Sequence, residues 1–299
     1  MSTAIVGGLG YWGQNLVRCF KRLDPDVQVI DTQAGTSIDD IDIEPEGIVI
    51  ATPPETHCDL AIKAAETFPH AKLLLEKPMV LSEGEIDLLD DYRDRIMVDH
   101  TFLYVPEFEF IKQILESGEM GDPLYAHSDR LNLGKFQPCG VAWDLAPHDL
   151  ALFQWLFGAK PRVLGSSAFS VRYTHPDIAR IDLAYGDVRA HLHMSWIHPT
   201  KVRQTTIVCT GGMVVYDMMA AEKIKIYMPT KKLGKGDVTG SYGEYLMGYR
   251  GGDILSPAIE QHEPLMAMCQ EFINFYDGDR PRSDFSLGAS VVEALCKAK

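Results

Sequence analysis

The sequence of 299 residues predicts an α/β fold in two parts. An N-terminal doubly wound parallel sheet is expected over residues 1–118. An α/β unit with a broad, mainly antiparallel sheet is expected over 119–299. Three observations predict this division. Short apolar strands alternate with amphipathic helices in the first part, as in a parallel sheet covered on both faces. From Ile178 onward, strand follows strand around glycine turns. A glycine-rich turn also joins the first strand to the first helix, which is how doubly wound folds begin.

Taken in order, TAIVGGLGYWGQNLVRCFKRL reads as a buried strand, a glycine turn and an amphipathic helix, and VQVID as a second strand. GIVIAT, residues 47–52, is too apolar on both faces for a half-exposed antiparallel strand. Pro53 and Pro54 end it, and ETHCDLAIKAAETF supplies the next helix. AKLLLEKP, SEGEIDLLDDYRD and IMVDH continue the pattern as strand, helix and strand. Residues 107–117 and 141–157 read as helices. IARIDLAYGDVRAHLHMSWIHP makes two strands about Tyr185–Gly186–Asp187, extended by RQTTIVCT, MVVYDM and KIKIYM. Residues 229–252 are polar and glycine-rich, a loop, and two helices near 259–276 and 286–297 close the chain.

An apolar content of 46% and a charged content of 23% are ordinary for a globular protein. A chain of this length can bury a core without disulfides and suggests about two domains. The formal charge of -14 argues against nonspecific nucleic-acid binding but leaves room for a local basic pocket. None of the six cysteines forms a CxxC pair, and they read as buried free thiols. No apolar stretch approaches the roughly 20 residues that span a bilayer. The first strand begins by Ala4, leaving no room for a signal segment, so the cytoplasm is the expected location.

Gly8, Gly10 and Gly13 form GxGxxG between the first strand and first helix, where backbone amides, with those of Tyr11 and Trp12, can meet a pyrophosphate. Gly8 is expected to permit the tight turn, Gly10 to clear space beneath the phosphates, and Gly13 to let helix and sheet approach. Asp31 ends the next strand, where a carboxylate can accept the adenosine-ribose hydroxyls and repel a ribose phosphate. NAD is thereby favoured over NADP, although Arg18 and Lys21 can accommodate a phosphate. Thr52 and Pro53 follow the third strand and can line the nicotinamide ribose. His57 is either a further cofactor contact or a packing residue of the following helix. Glu76–Lys77–Pro78 stands at the C-terminal edge of another strand, where Lys77 can reach a substrate oxygen and Glu76 can pair with it or with a cofactor ribose.

In VAWDLAPHDLALFQW, Asp144 and His148 are four apart and share a helix face. Imidazole is suited to general acid/base work because both protonation states are accessible near neutrality. Asp144 can hold a substrate hydroxyl or orient the imidazole, while Asp149 points about 100 degrees away, with a lesser substrate or structural role. Arg130, Asn132 and Lys135 precede this helix and are candidate substrate contacts, as are Lys201, Arg203 and the loop lysines Lys231, Lys232 and Lys235. Gly134 is expected as a flexible turn. His191 and His193 share a strand face, but no third well-spaced ligand stands near, so no metal is expected.

Together, Gly8–Gly13, Thr52–His57, Glu76–Lys77–Pro78 and Asp144–Leu145–Ala146–Pro147–His148 resemble the glucose-fructose oxidoreductase/inositol dehydrogenase (Gfo/Idh/MocA) family. The resemblance implies an NAD(P)-dependent dehydrogenase of a sugar, sugar nucleotide or cyclic polyol. It places the catalytic lysine at Lys77, the substrate-orienting aspartate at Asp144 and the acid/base histidine at His148. It also implies a homodimer or homotetramer formed through the C-terminal sheet. The specific expectation is oxidation of a ring alcohol, such as C3 of an N-acetylated UDP-sugar. An inositol or free-sugar dehydrogenase, a ketoreductase in the reverse direction and an NAD-binding regulator are the alternatives. GVAWD departs from the GGxxxD form common in the family, which leaves the pocket's shape open.

Overall fold

The computed structural model describes residues 2–134, 136–229 and 252–298. The candidate Lys135, the lysines Lys231, Lys232 and Lys235, and nearly all of the expected loop lie outside the described residues. The chain divides into two compact units, Met1–Val105 with His262–Cys296, and Pro106–Gln261 with the last three residues.

In the first unit β1 (Thr3–Val6), β2 (Gln28–Ile30), β3 (Gly47–Ile50), β4 (Lys72–Glu76) and β5 (Ile96–Asp99) form one sheet. Its order is β2-β1-β3-β4-β5, with every pairing parallel. β1, β3 and β5 are buried along their whole length, which is why these strands read as unbroken apolar runs. Strand order reverses between β1 and β3, and doubly wound sheets bind ligands at such a switch point, beyond the strands' carboxyl ends. Helices α1 (Gly13–Leu23), α2 (His57–Thr67) and α3 (Glu83–Leu89) make the crossovers. Ser82 caps α3 by accepting from the Glu85 N–H.

The unit boundary differs from the expected one at residue 118. Helix α4 (Pro106–Ser117) belongs to the second unit, whereas the last two helices, α6 (Pro264–Tyr276) and α7 (Phe285–Lys297), pack on the first. Apolar burial explains this. Phe272 of α6 meets Phe20 of α1 edge-on at 6.0 Å, and Gly288 of α7 allows the approach of Val98, which an added Cβ would meet at 2.6 Å. The edge strand β5 is covered too, because the Val98 N–H donates to the Ser283 carbonyl at 2.8 Å.

The second unit carries β6 (Pro123–Leu133), helix α5 (Gly140–Phe157), β7 (Arg162–Phe169), β8 (Ile178–Tyr185), β9 (Val188–Ser195), β10 (Ile197–Cys209), β11 (Gly212–Asp217), β12 (Ile224–Pro229) and β13 (Gly252–Leu255). The strands form one sheet of order β13-β12-β11-β10-β6-β9-β8-β7. All pairings are antiparallel except β6 with β9. Helix α5 packs against β6, β8 and β9. The Tyr185 hydroxyl donates to the Leu150 carbonyl at 3.2 Å, and Gly158 ends the helix with a φ of 65°. All six cysteines are free, with Cys19, Cys58, Cys209 and Cys269 buried.

Candidate functional site

In the first unit the switch point is lined by the glycine loop. The positive φ of the tight turn, 82°, falls on Gly7 and not on the expected Gly8. Gly8 is needed because an added Cβ would sit 2.6 Å from Val29. Gly13 fills its expected role, since a Cβ there would lie 2.1 Å from the Gly7 carbonyl oxygen. At Gly10 a Cβ would come within 3.2 Å of the same oxygen and narrow the loop. A bare-backbone cradle at the start of α1 suits a pyrophosphate, so the residues present fit a dinucleotide. Tyr11 is 90% exposed. Asp31 is 4% exposed, and its carboxylate accepts from the Leu9 N–H at 2.9 Å and the Gln33 N–H at 2.8 Å. It therefore braces the glycine loop from the end of β2.

His57 does not fit a cofactor contact, because the side chain is fully buried among carbonyls. Nε2 faces the Thr52 carbonyl at 2.9 Å, and Nδ1 faces the carbonyls of Pro78 at 3.1 Å and Met79 at 3.3 Å. Burial holds its pKa below the ordinary value against these acceptors. The ring staples the loop after β3 to the loop after β4. Thr52 meets Thr56 through their hydroxyls at 2.7 Å, and Pro53 follows in extended backbone.

Glu76 ends β4 in register with Asp99 at the end of β5, and the Lys77–Pro78 bond that follows is cis. Sequence reasoning missed Asp99 and His100. Asp99 Oδ2 accepts from Trp12 Nε1 at 2.8 Å, and its Oδ1 accepts from the Thr101 N–H at 3.1 Å and hydroxyl at 2.5 Å. Burial raises the Asp99 pKa, while Thr101, Trp12 and the Lys77 ammonium favour the carboxylate. His100 is pushed down to about 3 by burial and by Lys77, so its imidazole is neutral. The rule that singled out Lys77, position at a strand's carboxyl end, also points to these two residues.

In the second unit α5 is continuous through Asp144 and His148, which are half-buried and one turn apart on one face. Pro147 lies inside the helix and has no N–H for the Trp143 carbonyl, so the ladder skips a rung just before His148. Arg130 and Asp149 do not fit as substrate contacts. Their side chains are 5% and 1% exposed and pair with each other, Nε to Oδ2 at 2.7 Å and Nη2 to Oδ1 at 2.8 Å. This bidentate pair fastens β6 to α5 beside His148. Asn132 accepts from Arg203 Nη2 at 2.6 Å, and Arg203 also donates to the carbonyls of Leu131 and Val202. Burial and the Arg130 charge lower the Arg203 pKa to about 10, with Asp149 and Asp144 opposing, so it stays cationic at neutral pH. Gly134 is explained by close packing, because a Cβ would meet the Trp196 ring at 2.5 Å. His193 pairs with Asp129 at 3.0 Å and His191 with Asp182. Among the described residues, no group of three His, Cys, Asp or Glu could hold a metal ion.

Two family models match the chain. "Oxidoreductase family, NAD-binding Rossmann fold" covers residues 20–95, and "GFO/IDH/MocA C-terminal domain" covers 108–215. The chain belongs to the Gfo/Idh/MocA family. Its first unit is that family's NAD-binding Rossmann fold, and the second-unit match includes α5. An uncharacterised oxidoreductase of Streptococcus pneumoniae serotype 4 is 25% identical over 200 residues, 56% of this chain and 53% of that protein. The 2,7-anhydro-N-acetylneuraminate hydratase of Mediterraneibacter gnavus is 27% identical over 215 residues, 62% of this chain and 54% of that protein. The chain thus spans about half the length of the curated relatives it matches. The solved UDP-N-acetylglucosamine 3-dehydrogenase of Acidithiobacillus ferrooxidans shares the fold, with a TM-score of 0.79 at 22% identity over 100% of this chain and 96% of that one. Among the described residues no helix is long and apolar enough to cross a membrane.

Proposed function

We propose that the protein is an NAD-dependent dehydrogenase that oxidises a ring secondary alcohol of a sugar or nucleotide sugar. The observation that carries this reading is the pair Asp144 and His148, half-exposed on one face of a helix whose surrounding residues are largely buried. Gly7–Gly13 and Asp31 would hold NAD, whose contribution is to accept a hydride from the carbinol carbon. His148 takes the hydroxyl proton as general base and returns it when the reaction runs backwards. Asp144 orients the hydroxyl or the imidazole. The task proposed for Lys77 is to donate a hydrogen bond to a substrate oxygen as negative charge develops there.

Family membership supports a sugar or polyol substrate. An N-acetylated UDP-sugar, oxidised at C3, is the narrower form of the proposal. The name of the Acidithiobacillus enzyme and the cationic Arg203 of β10 both agree with it. The hydratase relative favours a second reading, in which the substrate is an anhydro sugar and no net oxidation occurs. A homodimer or homotetramer through the second unit's sheet belongs to the same proposal.

The test is to incubate the protein with NAD or NADP and a panel of UDP-sugars, free sugars, inositols and anhydro sugars. Both reaction directions are followed by reduced-nicotinamide absorbance and by mass spectrometry of the sugar. The expected outcome is absorbance change matched by loss of two hydrogens from one substrate. Gain of water without absorbance change would instead establish the hydratase reading, and tight NAD binding with no product would favour a regulator. His148→Ala and Lys77→Ala are each expected to lower turnover about a hundredfold or more while NAD still binds.

A further inference from the structure

We propose that the second unit carries a stacking subsite for the flat base of a nucleoside-diphosphate sugar, with Tyr173 as its exposed ring. This rests on the reading that Asp144 and His148 act on the reacting sugar, and it adds where the rest of the substrate is held. Three rings build the subsite. Trp196, just after β9, is buried and forms the floor. Phe136 meets it edge-on, with centroids 5.8 Å apart and planes at 88°. Tyr173, between β7 and β8, stacks on Phe136 at 4.8 Å and 17° and is 40% exposed. His175 lies 5.9 Å from Tyr173 and is tilted by 46°, so it does not cover that ring as a stacking partner.

The loop that carries Tyr173 is held in place. Asp177 is fully buried, and its carboxylate accepts from the N–H groups of Val171 at 3.0 Å, Arg172 at 2.7 Å and Tyr173 at 3.1 Å. Its own N–H donates to the Phe169 carbonyl and its carbonyl accepts from the Trp196 N–H, each at 2.9 Å, so floor and loop are tied together. A large ring fixed in this way offers contact area at little entropic cost on binding. Position and charge select the occupant. The loop meets α5 where the Val141 N–H donates to the Pro176 carbonyl at 2.9 Å. Val141 stands about 10 Å along the helix from His148, at 1.5 Å of rise per residue. That span is longer than a single pyranose ring and suits a base joined to the reacting sugar through a diphosphate. A cation borders the same floor. A Cβ on Gly134 would meet the Trp196 ring at 2.5 Å and Asn132 Nδ2 at 2.8 Å, and Asn132 Oδ1 accepts from Arg203 Nη2 at 2.6 Å. The Arg203 guanidinium is thus one side chain from the stack, and guanidinium is the group best shaped for phosphate. Stacking on aromatic rings is open to any base, because every base has a π-face.

The experiment uses the full-length protein with NAD at saturation, so that UDP does not report on the glycine loop of the first unit. UDP and inorganic pyrophosphate are titrated by calorimetry, and the base protons of UDP are followed by NMR. UDP is expected to bind about tenfold or more tightly than pyrophosphate, with its base protons shifted upfield by the rings. Tyr173→Ala is expected to weaken UDP about tenfold and leave pyrophosphate unchanged, while Tyr173→Phe keeps UDP affinity within about twofold. Equal affinities for UDP and pyrophosphate, no UDP binding, or UDP binding unmoved in a folded Tyr173→Ala protein each overturn the proposal. So does a change of oligomeric mass in Tyr173→Ala with UDP binding intact, which would make the stack a contact between copies of the chain. If Tyr173→Ala does not fold, the native protein decides, and base protons that do not shift on binding overturn the subsite equally. Sugar turnover separates the two readings. Tyr173-dependent UDP binding with no sugar oxidised would uphold the subsite and defeat the dehydrogenase. Oxidation of a free sugar with no UDP binding would defeat the subsite alone.

Discussion

His148 and Asp149 are adjacent in sequence, yet the helix turns by about 100 degrees between them and gives them different surroundings. His148 is half-buried, whereas Asp149 is locked on Arg130 in the core. Removing one member of a buried pair strands the other charge. Asp149→Ala is therefore expected to cost about 3–5 kcal/mol in urea unfolding, and the double variant Arg130→Met/Asp149→Leu far less. Equal losses in both would show that the charges are not coupled. Asp31 also has two tasks. Its carboxylate braces the Leu9 N–H of the glycine loop, so Asp31→Ser should weaken NAD binding while improving NADP relative to NAD. Unchanged relative binding would contradict its role in cofactor choice.

At the scale of elements, β6 shows what periodicity could not reveal. Its inward residues include Ser128 and Arg130, so the apolar alternation that marks a half-buried strand is broken by the ion pair the strand carries. The sequence therefore reads as candidate contacts before a helix, although the segment is a central strand of an eight-stranded sheet. β1, β3, β4 and β5 were legible because burial on both faces leaves no polar interruption. The outward face of β6 carries a pH-dependent contact. Hydrogen bonding to Asp129 raises the His127 pKa above 6.5, while the bond to His127 holds Asp129 below 3.8. The histidine's contribution is fully present below 6.5 and fades as pH rises through its folded value. The aspartate's is present above 3.8 and fades as pH falls. His127→Gln should thus lower stability most between those limits and little well above neutrality. With both groups part-exposed the loss is expected below about 1 kcal/mol, measured as the pH dependence of the urea midpoint.

For the whole molecule, the positions of Lys77, Asp144 and His148 were legible because each stands where local structure already constrains it: a strand's carboxyl end, or one face of a helix. The partners were not. Periodicity shows that the last two helices have an apolar face without saying what that face covers, and so it set the boundary at residue 118. Phe272 on Phe20, and the Ser283 carbonyl on the edge of β5, show that the chain returns to its first unit. Tyr276 adds a hydroxyl contact to Thr3 at 3.1 Å on β1, so the return reaches the start of the sheet. A fragment ending at Val105 would expose Phe20 and leave β5 as an open apolar edge, a combination that favours aggregation. Joining residues 262–298 to it through a flexible linker in place of 106–261 restores both coverings. The joined protein is expected to be monomeric, to unfold cooperatively and to bind NAD, whereas the shorter fragment aggregates or binds a hydrophobic dye. Equal solubility and equal NAD binding by the two would show that the terminal helices are dispensable to the nucleotide unit.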